Sequence, residues 1–143
     1  MGEEIISELR RYVQCLINRG FSINSVVLFG SRVRGGDWLV DSDVDLLIIV
    51  PNSGKDFLDR IREFTVCWDS RIALEVFPYT LDEVKRLVNR GSISLYDALD
   101  YGVVLYDDGT FEKLREIFRK AINEGVIKKM NGWWTIPEKP LLG

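Results

Sequence analysis

Two apolar runs separated by a polar segment constrain this chain most. Residues 26–29 are apolar and lead into Gly30, and residues 46–50 form a second apolar run directly after Asp43 and Asp45. Because side chains two residues apart in a strand project from the same face, the two aspartates are predicted to point together from the start of a strand. Two carboxylates this close repel one another unless a cation lies between them. The segment therefore predicts a strand that begins at a cation-binding site.

The residue types in this segment suit magnesium and phosphate. Mg²⁺ takes hard oxygen ligands and often bridges carboxylates to substrate phosphates, which makes Asp43 and Asp45 candidate ligands. Gly30 and Ser31 offer a backbone that a phosphate can approach closely, with a hydroxyl beside it. Together these features predict a site for phosphoryl or nucleotidyl transfer. Taken singly, Gly30 could be a tight turn and the aspartates a solvated turn before a strand.

Length and composition indicate one globular domain. The 143 residues suffice for a buried core, and we expect a single domain over residues 1–143 with a C-terminal tail at 124–143. No stretch approaches the ~20 apolar residues of a membrane span. Cys15 and Cys67 are too few and too isolated for a zinc site or a disulfide framework. A cytoplasmic location is the simplest expectation.

The composition also excludes some mechanisms and partners. The chain contains no histidine, which excludes mechanisms that need a histidine base or a histidine metal ligand. Its net charge of −3 gives no general attraction to nucleic acid. Direct nucleic-acid binding is therefore not expected.

Alternating helix and strand patterns predict an α/β (α+β) fold, with a small mixed sheet of about four strands flanked by helices. Pro78 is expected to end the third strand, Thr80 to begin a capping box with Glu83, and Thr110 to cap the last helix. The predicted strands are residues 25–29, 44–50, 72–77 and 102–106, and the predicted helices cover about residues 5–17, 57–64, 81–88, 94–101 and 110–123.

The third predicted strand adds a third carboxylate. Glu75 is the only charged residue in the run 72–77. Because a buried, unpaired carboxylate is costly, Glu75 is expected to face a metal, a cation or solvent. Beside the second strand it could join Asp43 and Asp45. The alternative is a half-exposed strand face shared with Ala73.

The pattern Gly30-Ser31, then the two aspartates, then Glu75 resembles the signature of the polymerase-beta-type nucleotidyltransferase superfamily. It is most similar to the smallest members, the minimal nucleotidyltransferases, through about residue 110. The resemblance implies the nucleotidyltransferase fold, with Gly30 and Ser31 on the triphosphate. It also implies that Asp43 and Asp45 ligate the metal, while Glu75 helps bind metal and activates the attacking hydroxyl.

Three details refine this resemblance. Arg34 falls where the small members often have an arginine, which implies a phosphate contact. Eleven residues separate Ser31 from Asp43, one more than is usual, and the loop at residues 35–36 can absorb the extra residue cheaply. The third acid is Glu75, where the smallest members often have aspartate.

The resemblance implies a magnesium-dependent enzyme, with one or two Mg²⁺ ions, that transfers a nucleoside monophosphate from ATP or another NTP to a hydroxyl. In this class the usual partner is a small helical HEPN protein, which the nucleotidyltransferase modifies with AMP as the antitoxin of a toxin–antitoxin system. Two alternatives stay open. A small-molecule, antibiotic-type adenylyltransferase is disfavoured by the short chain, and an inactive nucleotide-binding module by the three acids.

Partners beyond the acceptor are less constrained by the sequence. A homo-oligomer is a further alternative. Trp133 and Trp134 fit either core packing or an exposed patch for a partner, because aromatic residues are enriched at interfaces. Core packing is the simpler expectation for both.

Overall fold

A mixed sheet of four strands organises the fold. The computed structural model describes residues 2–30, 44–131 and 133–143. The strand order is β3–β2–β1–β4; β1 is antiparallel to β2 and β4, and β2 is parallel to β3. This confirms the predicted mixed sheet. The strands are β1 (Ser25–Phe29), β2 (Val44–Val50), β3 (Leu74–Thr80) and β4 (Val103–Asp107).

Helices cover both faces of this sheet, in the predicted order along the chain. No helix in the described part of the chain is long and apolar enough to cross a membrane. One face carries α1 (Gly2–Asn18) and α2 (Phe57–Thr65), and the other carries α3 (Leu81–Asn89), α4 (Ile93–Tyr101) and α5 (Thr110–Asn123).

Burial on both faces explains the continuous apolar run of β2. Leu46 and Ile48 pack in the core under α1 and α2, whereas Leu47 and Ile49 pack in the core under α3, α4 and α5. Side chains alternate between the faces of a strand, so a strand covered on both sides must be apolar at every position. Asp45, at the start of β2, is the half-buried exception.

The prediction that Pro78 ends the third strand is wrong. β3 continues through Pro78 to Thr80 and pairs in parallel with β2. β3 is an edge strand, where a proline is tolerated because its nitrogen need not donate to a ladder. The carbonyl of Pro78 accepts a hydrogen bond from Arg60 Nη1 at 2.7 Å, so this backbone group is satisfied by a side chain.

The predicted capping box of α3 is confirmed. Thr80 Oγ1 accepts from the backbone N–H of Glu83 at 3.2 Å, and Glu83 Oε1 accepts from the N–H of Thr80 at 2.8 Å. These two bonds satisfy backbone donors that have no partner within the helix. The sequence therefore fixes where α3 begins.

The predicted cap of α5 by Thr110 is wrong. Gly109 occupies the capping position and contributes no side-chain bond. The carboxylate of Asp107 instead accepts from the N–H groups of Phe111 and Glu112, at 3.0 and 3.1 Å. A carboxylate at this end is favoured because the free N–H groups carry partial positive charge.

Cys15 and Cys67 form a disulfide, contrary to the expectation that they are too isolated. They are 52 residues apart in sequence, but their Cα atoms lie 5.9 Å apart because α1 and the end of α2 pack on the same face of the sheet. Disulfides are typical of oxidising compartments, although intracellular proteins of hyperthermophiles also contain them. The pairing removes the cysteine-based reason for expecting a cytoplasmic location.

The C-terminal segment folds back onto α3, α4 and α5. Two short strands, β5 (Lys129–Met130) and β6 (Trp133–Trp134), pair antiparallel. Trp134 is buried edge-to-face against Tyr96 and Phe118, and its indole N–H lies 3.2 Å from Asp97 Oδ1. Trp133 is 53% exposed. Core packing therefore holds for Trp134 and fails for Trp133, since neighbouring strand residues point to opposite sides.

The two tryptophans allow a matched test of this packing. Trp134→Ala should lower the free energy of unfolding by about 3–5 kcal/mol, because it removes a buried aromatic side chain. Trp133→Ala should change it by less than about 0.5 kcal/mol, since most of its side chain already contacts solvent. Urea unfolding followed by circular dichroism measures both. Equal losses would contradict the burial of Trp134.

Arg60 and Glu83 form the main buried ion pair of the described residues. Arg60 Nη1 and Nη2 donate to the two carboxylate oxygens of Glu83 at 2.6 and 3.0 Å, and the Arg60 side chain is only 6% exposed. These bonds from Arg60 lower the pKa of Glu83 to about 2. The pair thereby joins α2 to the start of α3.

The depressed pKa of Glu83 predicts a stability contribution that is complete above its unfolded-state pKa of 4.5 and is lost as pH falls towards 2. Glu83→Gln should lower the free energy of unfolding by about 1.5–3 kcal/mol at pH 7, since it removes a charge-assisted hydrogen bond. It should also flatten the fall in stability between these two pH values.

The control is Glu124→Gln, which breaks an exposed pair of 3.9 Å with Lys120. It should cost less than about 0.5 kcal/mol. Urea titrations from pH 7 to pH 2 measure both variants. An acid profile of Glu83→Gln that matches that of the parent would contradict the prediction.

Candidate active site

The carboxyl end of β1 and the amino ends of β2 and β3 lie together at one end of the strands of the sheet. Asp45 on β2 pairs in register with Phe29 on β1 and with Glu75 on β3. Register partners in neighbouring strands project from the same face and lie about 4.8 Å apart along the hydrogen-bonding direction. Asp45 and Glu75 therefore lie side by side on the face that α3, α4 and α5 cover.

The carboxylates of Asp45 and Glu75 lie at the border between solvent and the core. Asp45 is half-buried and Glu75 is exposed, whereas their neighbour Phe29 is buried. Two hard oxygen donors at the rim of an apolar face are suited to a divalent cation. Among the described residues, no group of three or more acidic, cysteine or histidine side chains could hold a metal. A three-acid site would need Asp43 as well.

Gly30 makes room for the carboxylate of Asp45. Its backbone φ is +96°, a value that residues with a side chain rarely adopt. A Cβ added at Gly30 would overlap Asp45 Oδ2 and lie 3.0 Å from its Cγ. Glycine is thus required twice here, for its backbone conformation and for the space above its Cα. The predicted contact of Gly30 with a triphosphate stays a prediction.

Three of the predicted site residues, Ser31, Arg34 and Asp43, lie outside the described residues. The structure brings together the other three, Gly30, Asp45 and Glu75. Their roles with metal and nucleotide stay predictions. Glu75 is aligned with Asp45 and is exposed on the face that it shares with Ala73, so both its site role and the alternative of an ordinary strand face stay open here.

Sequence reasoning missed the aromatic residues that follow Glu75 on the same face of β3. Phe77 lies 5.7 Å from Phe29 between ring centroids, and Tyr79 stacks on Phe57 at 5.0 Å. The signal was present, because Glu75, Phe77 and Tyr79 alternate at the period of a strand. These rings form a continuous row from the carboxylates to the start of α2.

Comparison with known proteins finds one matching family model. The family model of the nucleotidyltransferase domain matches residues 6–131. No match was found among curated proteins.

Solved structures share the fold at low sequence identity. A Sulfolobus solfataricus protein proposed to be a nucleotidyltransferase has a TM-score of 0.54 and 18% identity, over 73% of this chain and 82% of that one. A chain in a structure of a toxin–antitoxin with AMP-PNP has a TM-score of 0.50 and 14% identity, over 82% and 87%. A chain in the complex of tri-AMPylated Shewanella oneidensis HEPN toxin with MNT antitoxin gives 0.49 and 12%, over 87% and 88%.

The contact between Gly30 and Asp45 can be tested against a second glycine of similar backbone conformation. Gly20 has a φ of +84° and open space where a Cβ would lie. Gly20→Ala should therefore lower the free energy of unfolding by about 1 kcal/mol, for the backbone alone. Gly30→Ala should lower it by at least about 2 kcal/mol, because the Asp45 carboxylate must also move. Urea unfolding measures both, and equal losses would contradict the close approach.

Proposed function

The chain belongs to the nucleotidyltransferase domain family, and on this premise we propose that it transfers AMP from ATP to a hydroxyl of a small helical HEPN-type protein. In this proposal the chain is a minimal nucleotidyltransferase and acts as the antitoxin of a toxin–antitoxin pair. The observation that carries the proposal is the alignment of Asp45 with Glu75 beside Gly30. The motif Gly30-Ser31 with its downstream acids supports it from the sequence.

The fold supports the proposal at a coarser level. A chain in a structure of a toxin–antitoxin with AMP-PNP has a similar fold, with a TM-score of 0.50. At 14% identity this similarity concerns the fold alone. The family supports nucleotidyl transfer as the reaction. ATP as the donor and a HEPN protein as the acceptor are proposed here in addition.

The proposed reaction exchanges one phosphorus–oxygen bond for another. The acceptor's hydroxyl oxygen bonds to the α-phosphorus of ATP, the bond from that phosphorus to the bridging oxygen breaks, and pyrophosphate leaves with the bonding electrons. Glu75, exposed at the rim, accepts the hydroxyl proton. Gly30 and Ser31 cradle the triphosphate, and Arg34 contacts a phosphate. Enzymes of this kind accelerate transfer chiefly by positioning and electrostatic stabilisation.

The donor atoms present fit Mg²⁺. Asp45 and Glu75 supply adjacent carboxylate oxygens on one face, and Asp43, two residues before Asp45, would supply a third acid. These residues would hold one or two ions. Bound Mg²⁺ neutralises charge on the phosphates of the nucleotide. Carboxylates without such a cation would repel both each other and the triphosphate.

Nucleotide binding is the first test of this proposal. ATP with Mg²⁺ should raise the melting temperature, because a ligand that binds only the folded state stabilises that state. At a ligand concentration a hundred times the Kd, the free energy of unfolding rises by about 2.7 kcal/mol. Asp45→Asn and Glu75→Gln should each remove most of the Mg²⁺-dependent part. Glu116→Gln, an exposed acid on α5, is the control and should keep it. Calorimetry without any nucleotide binding would contradict the proposal.

The acceptor is the second test. Incubated with Mg²⁺ and ATP, the chain should add one or more AMP units to the protein encoded by the neighbouring reading frame, as mass spectrometry would detect. Asp45→Asn should slow this transfer by about 100-fold or more, because it removes electrostatic stabilisation of the transferring phosphoryl group. Efficient adenylylation of an aminoglycoside by the chain alone would overturn the proposal in favour of a small-molecule enzyme.

A further inference from the structure

A second site, which we name the arginine–aromatic pocket, lies on the same side of the sheet as the carboxylate pair. It is an open cavity of about 290 Å³ between the start of α2, the end of β3 and α3. Its position and its charge do not follow from the role proposed for Asp45 and Glu75. The lining residues are Phe57, Tyr79, Glu83, Arg86, Leu87 and Arg90.

The pocket carries positive charge that no carboxylate among the described residues pairs with at close range. Arg86, on α3, and Arg90, which caps the C-terminal end of α3, are both exposed and lie about one helical turn apart. Glu83, the acid in the lining, has both oxygens engaged by Arg60. No ion pair within 4 Å joins either exposed arginine to a carboxylate in the described ranges. Within the part of the chain that the structure describes, the pocket thus presents two cations without an ion-pair partner, in a chain of net charge −3.

One wall of the pocket is aromatic. Phe57 and Tyr79 stack with ring centroids 5.0 Å apart and an interplanar angle of 17°. Burial and the charge of Glu83 raise the pKa of Tyr79, so its hydroxyl stays protonated at neutral pH and is available as a donor. Two guanidinium groups beside a neutral phenol and an apolar wall favour an oxyanion with some apolar neighbours.

The aromatic row connects this pocket to the candidate active site. Tyr79 follows Glu75 by four residues on the same face of β3, a distance of about 13 Å along the strand. Phe77 lies between them, with its ring 6.4 Å from that of Tyr79. A ligand that occupied both ends would have to span this length. A triphosphate held at Gly30 lies at the other end of β3 from the arginines.

We propose that Arg86 and Arg90 receive an acidic segment of the protein acceptor, and that this contact places the acceptor hydroxyl at Asp45 and Glu75. The inference rests on the proposed function and names a property of the acceptor, an acidic segment separated from the modified hydroxyl by at least the stretch of β3 from Glu75 to Tyr79, about 13 Å. Complementary charges at such a distance orient a partner and speed its association more than they tighten it. The pocket therefore supplies the acceptor side of the reaction.

Two labelled peptides of equal length test the pocket directly. Each carries a tyrosine four positions before the first of three consecutive glutamates or, in the matched peptide, three glutamines. Fluorescence anisotropy at low ionic strength should show the glutamate peptide binding about fivefold or more tightly than the glutamine peptide, and added salt should reduce this difference. The double variant Arg86→Gln, Arg90→Gln should abolish it.

A matched double variant controls for the loss of two charges. Arg119 and Lys120 are exposed on α5 and do not line the pocket, so Arg119→Gln with Lys120→Gln should keep the peptide preference. Urea unfolding checks that both double variants remain folded. Equal binding of the two peptides, or equal effects of the two double variants, would overturn the proposal.

Transfer kinetics separate this inference from the proposed function. The acceptor in this experiment is the protein encoded by the neighbouring reading frame. The double variant Arg86→Gln, Arg90→Gln should raise the KM for this acceptor about tenfold, while the rise in melting temperature caused by ATP and Mg²⁺ stays unchanged. Transfer that does not respond to the arginines would overturn the pocket and keep the function. Peptide discrimination without any AMP transfer would support the pocket and overturn the function. Loss of ATP binding, or tighter binding of a single-stranded oligonucleotide, would assign the arginines to those ligands instead.

Discussion

The candidate site depends on the close approach of Gly30 to the carboxylate of Asp45. β1 must end in a residue that turns with positive φ and leaves space above its Cα, since Asp45 occupies that space from the neighbouring strand. The register of Phe29 with Asp45, and of Asp45 with Glu75, then places both acids on one face. A shift of β2 by one residue would turn Asp45 into the core under α1 and α2. Because the other positions of β2 are apolar on both faces, it is the cost of burying the Asp45 carboxylate that opposes this shift.

Much of this arrangement could be predicted because it is encoded locally. The apolar runs of β1 and β2, the capping box at Thr80 and the i, i+2 spacing around Asp45 each depend on residues close in sequence. Together they were enough to predict the succession of helices and strands along the chain and the candidate acids. What lay beyond local reasoning was the pairing of β2 with β3, which decides that Glu75 stands beside Asp45.

Apart from the cap of α5, which Asp107 supplies locally in place of Thr110, the errors arise from contacts between distant parts of the chain. Pro78 is tolerated because β3 lies at the edge of the sheet and because Arg60 binds its carbonyl. Cys15 and Cys67 meet only when α1 and α2 pack on one face. Trp133 and Trp134 are adjacent in sequence but differ in burial, since the short hairpin turns one towards Tyr96 and Phe118. None of these pairings has a signature within a local window.

One additional residue between Ser31 and Asp43 costs little compared with the interactions that hold β1 and β2 in place. The covalent loop from Cys15 to Cys67 encloses β1 and β2, and closing a loop of this length restricts the unfolded chain by about 4 kcal/mol in the chain-entropy treatment. Within it, thirteen residues connect Gly30 to Val44. Lengthening such a connection by one residue costs less than about 0.1 kcal/mol of closure entropy. That cost is far below the burial that holds Phe29 opposite Asp45, so the additional residue leaves the register of the site intact.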